Sequence, residues 1–274
     1  MRAPSAVGAP INAARLRRWA LDFSSYRHQI SERAVSDWID QFKDDRDVAA
    51  RLLDVVDFYT IDRISGCFRT VLASLPGWHV DPNRRAGKWR FAAMAGSAGE
   101  SGDAMMHRFR VANRLDGAKY SELFIYRSEI LLADLGADDT LVLIDDFIGT
   151  GESVCLAWKR AFEELVPGIG KVYLLVVAAL EQGKQKVETD TSATCVAAND
   201  LVQSDNFFAK ENTHFSDADK EIVLKHCRKA HKNQPQGFGD CGLVLAFQHR
   251  CPNNSLPVLH ADNGRWCSLF PRHG

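Results

Sequence analysis

The stretch TLVLIDDFIGTGES, Thr140 to Ser153, decides how this chain is read. Leu141 to Ile144 is apolar at every position, the pattern of a central strand covered on both faces. Two acids, Asp145 and Asp146, close the run. A turn containing Gly149 and Gly151 then leads into a segment where Val154, Trp158, Ala161 and Leu165 recur at helical spacing. The order predicts a buried strand, a carboxylate pair at its C-terminal end, a glycine turn and a helix N-terminus. Ligands of open α/β sheets bind where strands end, so the pair is expected to face a crevice. Two adjacent carboxylates can accept hydrogen bonds from the paired hydroxyls of a ribose diol. Gly149 and Gly151 allow a bend that turns N–H groups inward, the helix start adds partial positive charge, and Thr150 and Ser153 bring hydroxyl donors. The anion suited to such a nest is a phosphate monoester. GTGES lacks the lysine of a P-loop, and no GxGxxG follows a strand here, so other phosphate motifs fit less well.

Around this stretch, Trp89 to Ala95, Leu123 to Tyr126 and Val172 to Ala179 read as further strands, with Ala193 to Ala198 as another. Most are separated by enough chain for a helix. Parallel neighbours need such crossovers, so the alternation predicts a three-layer α/β fold with a central, mostly parallel sheet. Between Ser31 and Tyr59 two apolar faces recur at helical spacing, Val35, Trp38, Ile39 and Phe42, then Leu52, Val55, Val56 and Tyr59. They predict an N-terminal helical layer, ended by a connection rich in Pro76, Gly77, Pro82 and Gly87. Beyond Asn199, Ser216 to Asp219 has the form of a capping box before Ile222, Val223 and Cys227, and Leu243 to Phe247 reads as a strand. The expected organisation is an N-terminal helical region over 1–88, a core over 89–200, and a C-terminal α+β elaboration over 201–274 packed on that core.

LVLIDDFIGTGES resembles the phosphoribosyl diphosphate-binding signature of type I phosphoribosyltransferases. GSAGESGDAMMHRFR, from Gly96, and the tail GFGDCGLVLAFQHRCPNNSLPVLHADNGRWCSLFPR, from Gly237, are similar to the phosphoribosyltransferase-like effectors of bacterial conflict, or anti-phage, systems. The resemblance implies catalytic roles for Asp145 and Asp146, and a ribose 5-phosphate site made by Ile148, Gly149, Thr150, Gly151, Glu152 and Ser153. It implies a diphosphate site in the loop Gly96, Ser97, Ala98 and Gly99, which precedes a helix bearing Met105, Met106 and Phe109, and in Arg127 at the end of the Leu123 to Tyr126 strand. The implied ligand is phosphoribosyl diphosphate or a nucleotide. The implied activity is that of a pentosyltransferase or nucleotide N-glycosidase acting at ribose C1, with Mg2+ carried by the substrate and no metal held by the protein alone. A defence-system protein partner and a homodimer also follow from it. Two departures keep other readings open. Only Glu129 to Asp139 is available for the mobile cover that family enzymes close over the site, and Glu152 puts a negative charge beside the phosphate. A non-catalytic nucleotide-binding sensor and a scaffold subunit of a defence complex are the alternatives.

With 274 residues, 46% of them apolar, the chain can bury a substantial core. Its 34 Lys and Arg nearly balance 35 Asp and Glu, so no global field draws it to nucleic acid or an anionic membrane, and any anion must be held locally. Seven cysteines with no CxxC pair suggest reduced thiols and a cytoplasmic protein. The longest apolar run, around Val172 to Leu180, is far below a membrane span, and the first residues lack the apolar core of a signal peptide, so a soluble chain with a frayed N-terminus is expected. His249, Cys251, His260 and Cys267 match no strong metal spacing, and His249 with Asn253 and Asn254 lacks the hairpin of a His-Asn nuclease. Gly237 to Asp240 reads as a turn, or else as a wall of a base pocket. Lys225, Arg228, Lys229, His231 and Lys232 form a solvated face or a contact for nucleic acid or protein.

Overall fold

The computed structural model describes residues 3–94 and 101–272. In chain order the elements are α1 (Ala13–Asp22), α2 (Glu32–Asp40), α3 (Arg46–Asp54), β1 (Asp57–Tyr59), α4 (Ile61–Ala73), β2 (Trp89–Ala93) and α5 (Ser101–Ala112). They continue with β3 (Thr140–Ile144), β4 (Phe147–Ile148), α6 (Glu152–Ala161), β5 (Lys171–Leu180), α7 (Glu181–Asp190), β6 (Thr194–Leu201), α8 (Asp217–Ala230), β7 (Leu245–Phe247) and α9 (Pro257–His260). The contacts gather into two compact units, one made of residues 1–61 with 202–274, the other of 62–201. The N-terminal helices therefore share a core with the C-terminal segment, and the stretch expected as one region over 1–88 is divided between the units.

In the discontinuous unit, local signals start the helices and long-range burial joins them. Asn12 caps α1 by accepting from the Arg15 N–H (3.0 Å), and Ser31 caps α2 by accepting from the Ala34 N–H (3.1 Å). The expected capping box is present, with Ser216 and Asp219 opening α8. Trp19, Trp38, Phe42 and Leu52 pack in one apolar cluster with Val223, Leu259, Trp266 and Phe270. The Trp38 and Trp266 indoles both donate to the Val258 carbonyl, at 2.8 and 3.0 Å. The helical face read through to Tyr59 stops at α3. Val55 and Val56 are followed by β1, which pairs in parallel with β7 in the register Asp57 to Leu245. Aromatic residues next to β-branched ones favour extended backbone once a partner strand is at hand. The N-terminal segment, expected to fray, is tied down where the Ser5 and Gly8 amides donate to Asp54 (3.2 Å) and Asp47 (2.9 Å).

Arg51, only 4% exposed, donates through Nη1 to Asp219 (3.2 Å) and through Nε to Asp47 (2.9 Å). Burial pushes the Asp219 carboxyl up, but its hydrogen bonds with Arg51 and Ser216 outweigh this and hold it below the usual range. Asp219→Asn removes a charge facing a buried guanidinium and is expected to cost about 3 kcal/mol in urea unfolding. His260, 8% exposed, has its pKa pushed down to about 4 by burial first and then by the Arg272 cation, so the folded state keeps it neutral, with Nε2 on the Ser255 carbonyl (3.1 Å). An unfolded His titrates near 6.5. The unfolded chain thus takes up this proton first, and the contribution of His260 to stability is complete above about pH 6.5 and lost as pH falls toward 4. Unfolding midpoints measured from pH 7 to 4 are expected to fall by the equivalent of about 3 kcal/mol from this group, and to fall less in His260→Gln.

The other unit is built on a parallel sheet ordered β2, β3, β5, β6. β4 continues β3 along β5 in unbroken register, since Ile144 faces Leu175 and Phe147 faces Ala178. Every residue of β3 is buried, as its unbroken apolar run predicts. Leu141 and Leu143 pack on the side of Val154, Trp158 and Phe162 from α6 and its C-terminal end, and Val187 of α7 joins that cluster. Phe91 of β2 meets Phe109 of α5 (ring centroids 5.2 Å), which in turn meets Phe68 of α4 (5.6 Å). The result is three layers with a central parallel sheet. Leu123 to Tyr126 is not a strand. A 3-10 turn covers Ala118–Leu123, Phe124 makes a single parallel bridge to Phe91, and another 3-10 turn follows at Arg127–Glu129. Glu129 accepts from the Tyr126 N–H (2.8 Å), a local cap that competes with extension of the edge. Among the described residues no helix is long and apolar enough to cross a membrane.

Candidate functional site

Asp145 and Asp146 stand where β3 leaves its buried course. Their backbones stay in the ladder: the Asp145 N–H donates to the Leu175 carbonyl (3.0 Å), and the Asp146 carbonyl accepts from the Val177 N–H (3.0 Å). Both residues are half-buried. One Asp145 oxygen accepts from the Asp146 N–H (2.9 Å), which fixes the orientation of the first carboxylate. Beside them β2 ends at the same level, with Ala93 opposite Ile144 and the Met94 N–H donating to the Ile144 carbonyl (3.0 Å). The parallel register thus brings the acids and the C-terminal end of β2 to one edge of the sheet. Gly96, Ser97, Ala98 and Gly99, the expected diphosphate loop, lie outside the described residues.

Downstream, Gly151 caps α6 in the left-handed region (φ 79°), a conformation that favours glycine. Gly151, lacking a side chain, makes no side-chain cap for that helix. Thr150 Oγ1 accepts from the Glu152 N–H (3.4 Å), Gly149 and Thr150 are half-buried, and Glu152 and Ser153 are exposed. The Ile148 side chain is buried in the apolar cluster and does not face the loop's solvent side. Glu152 sits in the first turn of α6, where the helix dipole favours an acid. The back of the loop is closed by a glycine that the sequence reading passed over. A Cβ on Gly183, in the first turn of α7, would come 1.9 Å from the Gly149 carbonyl oxygen and 3.2 Å from the Gly151 nitrogen. Backbone therefore packs on backbone.

Arg127 is exposed and borders a cavity of about 660 Å3 shared with Asp103, His107 and Arg110 of α5. Ala93 and Asp103, which flank residues 95–100 in the sequence, also line it. The Arg110 guanidinium lies 4.5 Å over the Phe124 ring. Asp103, Met106, His107 and Arg110 share one helix face at spacings of three and four. The same helix buries Met105 and Phe109, and that apolar face alone stands out in the sequence. Arg110 brings positive charge to this edge beyond Arg127.

Other side chains with ligand-type atoms are placed elsewhere. Cys251 and His260 are buried, Cys267 is exposed, and among the described residues no group of three or more His, Cys, Asp or Glu side chains is arranged to hold a metal ion. None of the seven cysteines is in a disulfide, and burial pushes the Cys195, Cys227 and Cys251 thiols up to about 12. Gly237 (φ 82°) opens a tight turn whose Phe238 N–H donates to the Asn253 carbonyl (2.7 Å). Arg228, Lys229 and Lys232 line a shallow basic depression with Arg265.

A parallel sheet with helices on both faces, its central strand ending in an acid pair and running on into a glycine-capped helix, is the arrangement of the type I phosphoribosyltransferase-like fold. The match to known families is more specific: the model of PRTase-CE, a phosphoribosyltransferase-like family of conflict effectors, covers residues 35–272, and the chain belongs to that family. No curated protein matches the chain.

Proposed function

We propose that this protein binds phosphoribosyl diphosphate or a ribonucleotide and transfers or cleaves at ribose C1, as an effector in bacterial anti-phage defence. The supporting observation is the placement of Asp145 and Asp146 at one sheet edge with the Gly149 to Ser153 loop, whose glycine-capped helix offers backbone amides to a phosphate. The two carboxylates hold the ribose hydroxyls, and the loop holds the 5-phosphate. Arg127, together with the Gly96 to Gly99 loop, takes the diphosphate. When the bond from C1 breaks, its electron pair leaves with the diphosphate or the base, and positive charge develops on the ring. Fixed carboxylates nearby stabilise that charge more than they stabilise the ground state. Mg2+ would enter as part of the substrate, ligated mainly by the substrate and water, as the family resemblance implies. It supplies charge neutralisation of the leaving group.

A sensor that binds the same ligand without turnover is the second reading. It is favoured by the segment after Arg127, which is folded into 3-10 turns at Arg127–Glu129 and Leu131–Ala133 and anchored by the buried Ile130 and Asp139. Incubation of the purified chain with Mg2+, phosphoribosyl diphosphate and a panel of bases and nucleotides separates the readings. Release of pyrophosphate or free base supports the enzyme, saturable binding without release supports the sensor, and absence of binding defeats both.

A further inference from the structure

A second cavity, of about 720 Å3, opens where β2 begins, at the opposite end of that strand from the acid pair. Arg85, Lys88, Arg90 and Lys119 line it, against the carboxylates of Asp81 and Glu122. Asp81 is engaged as a cap, accepting from the Asn83 N–H (3.0 Å), and Lys88 donates to the Asp134 carbonyl (2.9 Å). Among the described residues no carboxylate forms an ion pair with Arg85, Arg90 or Lys119.

The Arg85 guanidinium is fixed in advance. It donates to the His79 carbonyl (2.5 Å) and the Val80 carbonyl (2.8 Å) and lies 4.7 Å over the Trp78 ring. Burial depresses its pKa, and the nearby Arg90 cation pushes the same way, against Tyr120 and Asp81. Arg85 and Arg90, both half-buried and the first held in place, line one cavity and offer it two guanidiniums, the groups that recognise phosphate oxygens. A planar ring completes the site, since the Lys119 ammonium lies 4.8 Å over Tyr120. Cationic groups interleaved with an aromatic face are the pattern that holds a phosphate and stacks its base. The volume is in the range of ligand sites, about 300 to 1,000 Å3, and exceeds what a lone phosphate needs.

We infer that this cavity binds a nucleoside phosphate, free or at the end of a single strand, with Arg85, Arg90 and Lys119 on the phosphate and Tyr120 on the base. The site lies at the other edge of the sheet from Asp145 and Asp146, so it stands or falls separately from the proposed chemistry.

The test titrates the full chain, by fluorescence anisotropy, into 5′-phosphorylated hexathymidylate labelled at its 3′ end, with thymidine 5′-monophosphate and inorganic phosphate as competitors. Arg90→Gln combined with Lys119→Gln is expected to weaken binding at least about tenfold and to flatten the salt dependence of log affinity by about 1.4. Tyr120→Leu, which keeps every cation, is expected to weaken it about tenfold through lost stacking. Asp145→Asn combined with Asp146→Asn leaves it unchanged. Competition by the mononucleotide at concentrations matching the hexamer identifies a free nucleotide as ligand, and a strong preference for the hexamer identifies a strand end. Absence of binding, insensitivity to the basic and Tyr120 substitutions, loss in the acid-pair variant, or equal competition by inorganic phosphate overturns the inference.

Discussion

Asp146→Asn is expected to lower release of pyrophosphate or free base by about 10²- to 10³-fold. Asparagine keeps the size of the side chain and one acceptor oxygen, so hydrogen bonds to a ribose hydroxyl survive in part, but the negative charge is gone. Charge matters most when C1 becomes cationic, so the loss falls on kcat more than on KM. The main-chain role of Asp146, accepting from the Val177 amide, does not depend on its side chain. Asp145→Asn is expected to be milder, because an amide oxygen can still accept from the Asp146 N–H, the contact that orients this side chain. Pyrophosphate release measured beside calorimetric ligand binding checks the pair. A variant that turns over as fast as the parent would remove the carboxylates from the chemistry and leave the binding role alone.

The parts of this site that were legible in the sequence are those set by local pattern. Four consecutive apolar residues, Leu141 to Ile144, have the pattern of a strand buried on both faces, and Val154 with Trp158 marked the helix that follows; β3 and α6 are where this predicts. The capping box at Ser216 likewise marks α8. What was not legible depends on pairing between distant segments. β1 is strand because β7 supplies its partner from the far end of the chain, and nothing in Asp57 to Tyr59 alone signals that. Arg127 was expected to follow a strand, but four residues at a sheet edge make one bridge and then turn under the Glu129 cap. His107 and Arg110 were obscured for a different reason. The resemblance implied a helix bearing Met105, Met106 and Phe109, whereas Asp103, His107 and Arg110 of that helix also line the cavity. The close approach of Gly183 to Gly149 joins two crossover segments, and only the packed fold reveals it.

That approach makes Gly183→Ala the sharper structural test of the phosphate loop. In a helix the exchange usually stabilises, by up to about 1 kcal/mol, because alanine loses less backbone freedom on folding. Here the added methyl would lie 1.9 Å from the Gly149 oxygen and 2.9 Å from its carbonyl carbon, and both obstacles are backbone. No side-chain rotation relieves the clash, so α7 and the loop must separate by on the order of 1 Å, at a cost of about 1 to 3 kcal/mol. Gly151, whose own Cβ would meet the Gly183 oxygen at 2.7 Å, moves with them, and with it the amides at the start of α6. A displacement of that size in a positioning element lowers activity by about 10²-fold. Gly66→Ala in α4 provides the comparison, since its Cβ would find only the Arg69 side chain at 3.7 Å, an ordinary contact. Gly183→Ala should therefore melt lower than the parent and bind phosphoribosyl diphosphate at least about tenfold more weakly, while Gly66→Ala melts no lower and binds as before. If Gly183→Ala loses stability yet binds the ligand unchanged, the loop from Gly149 to Ser153 does not hold the phosphate.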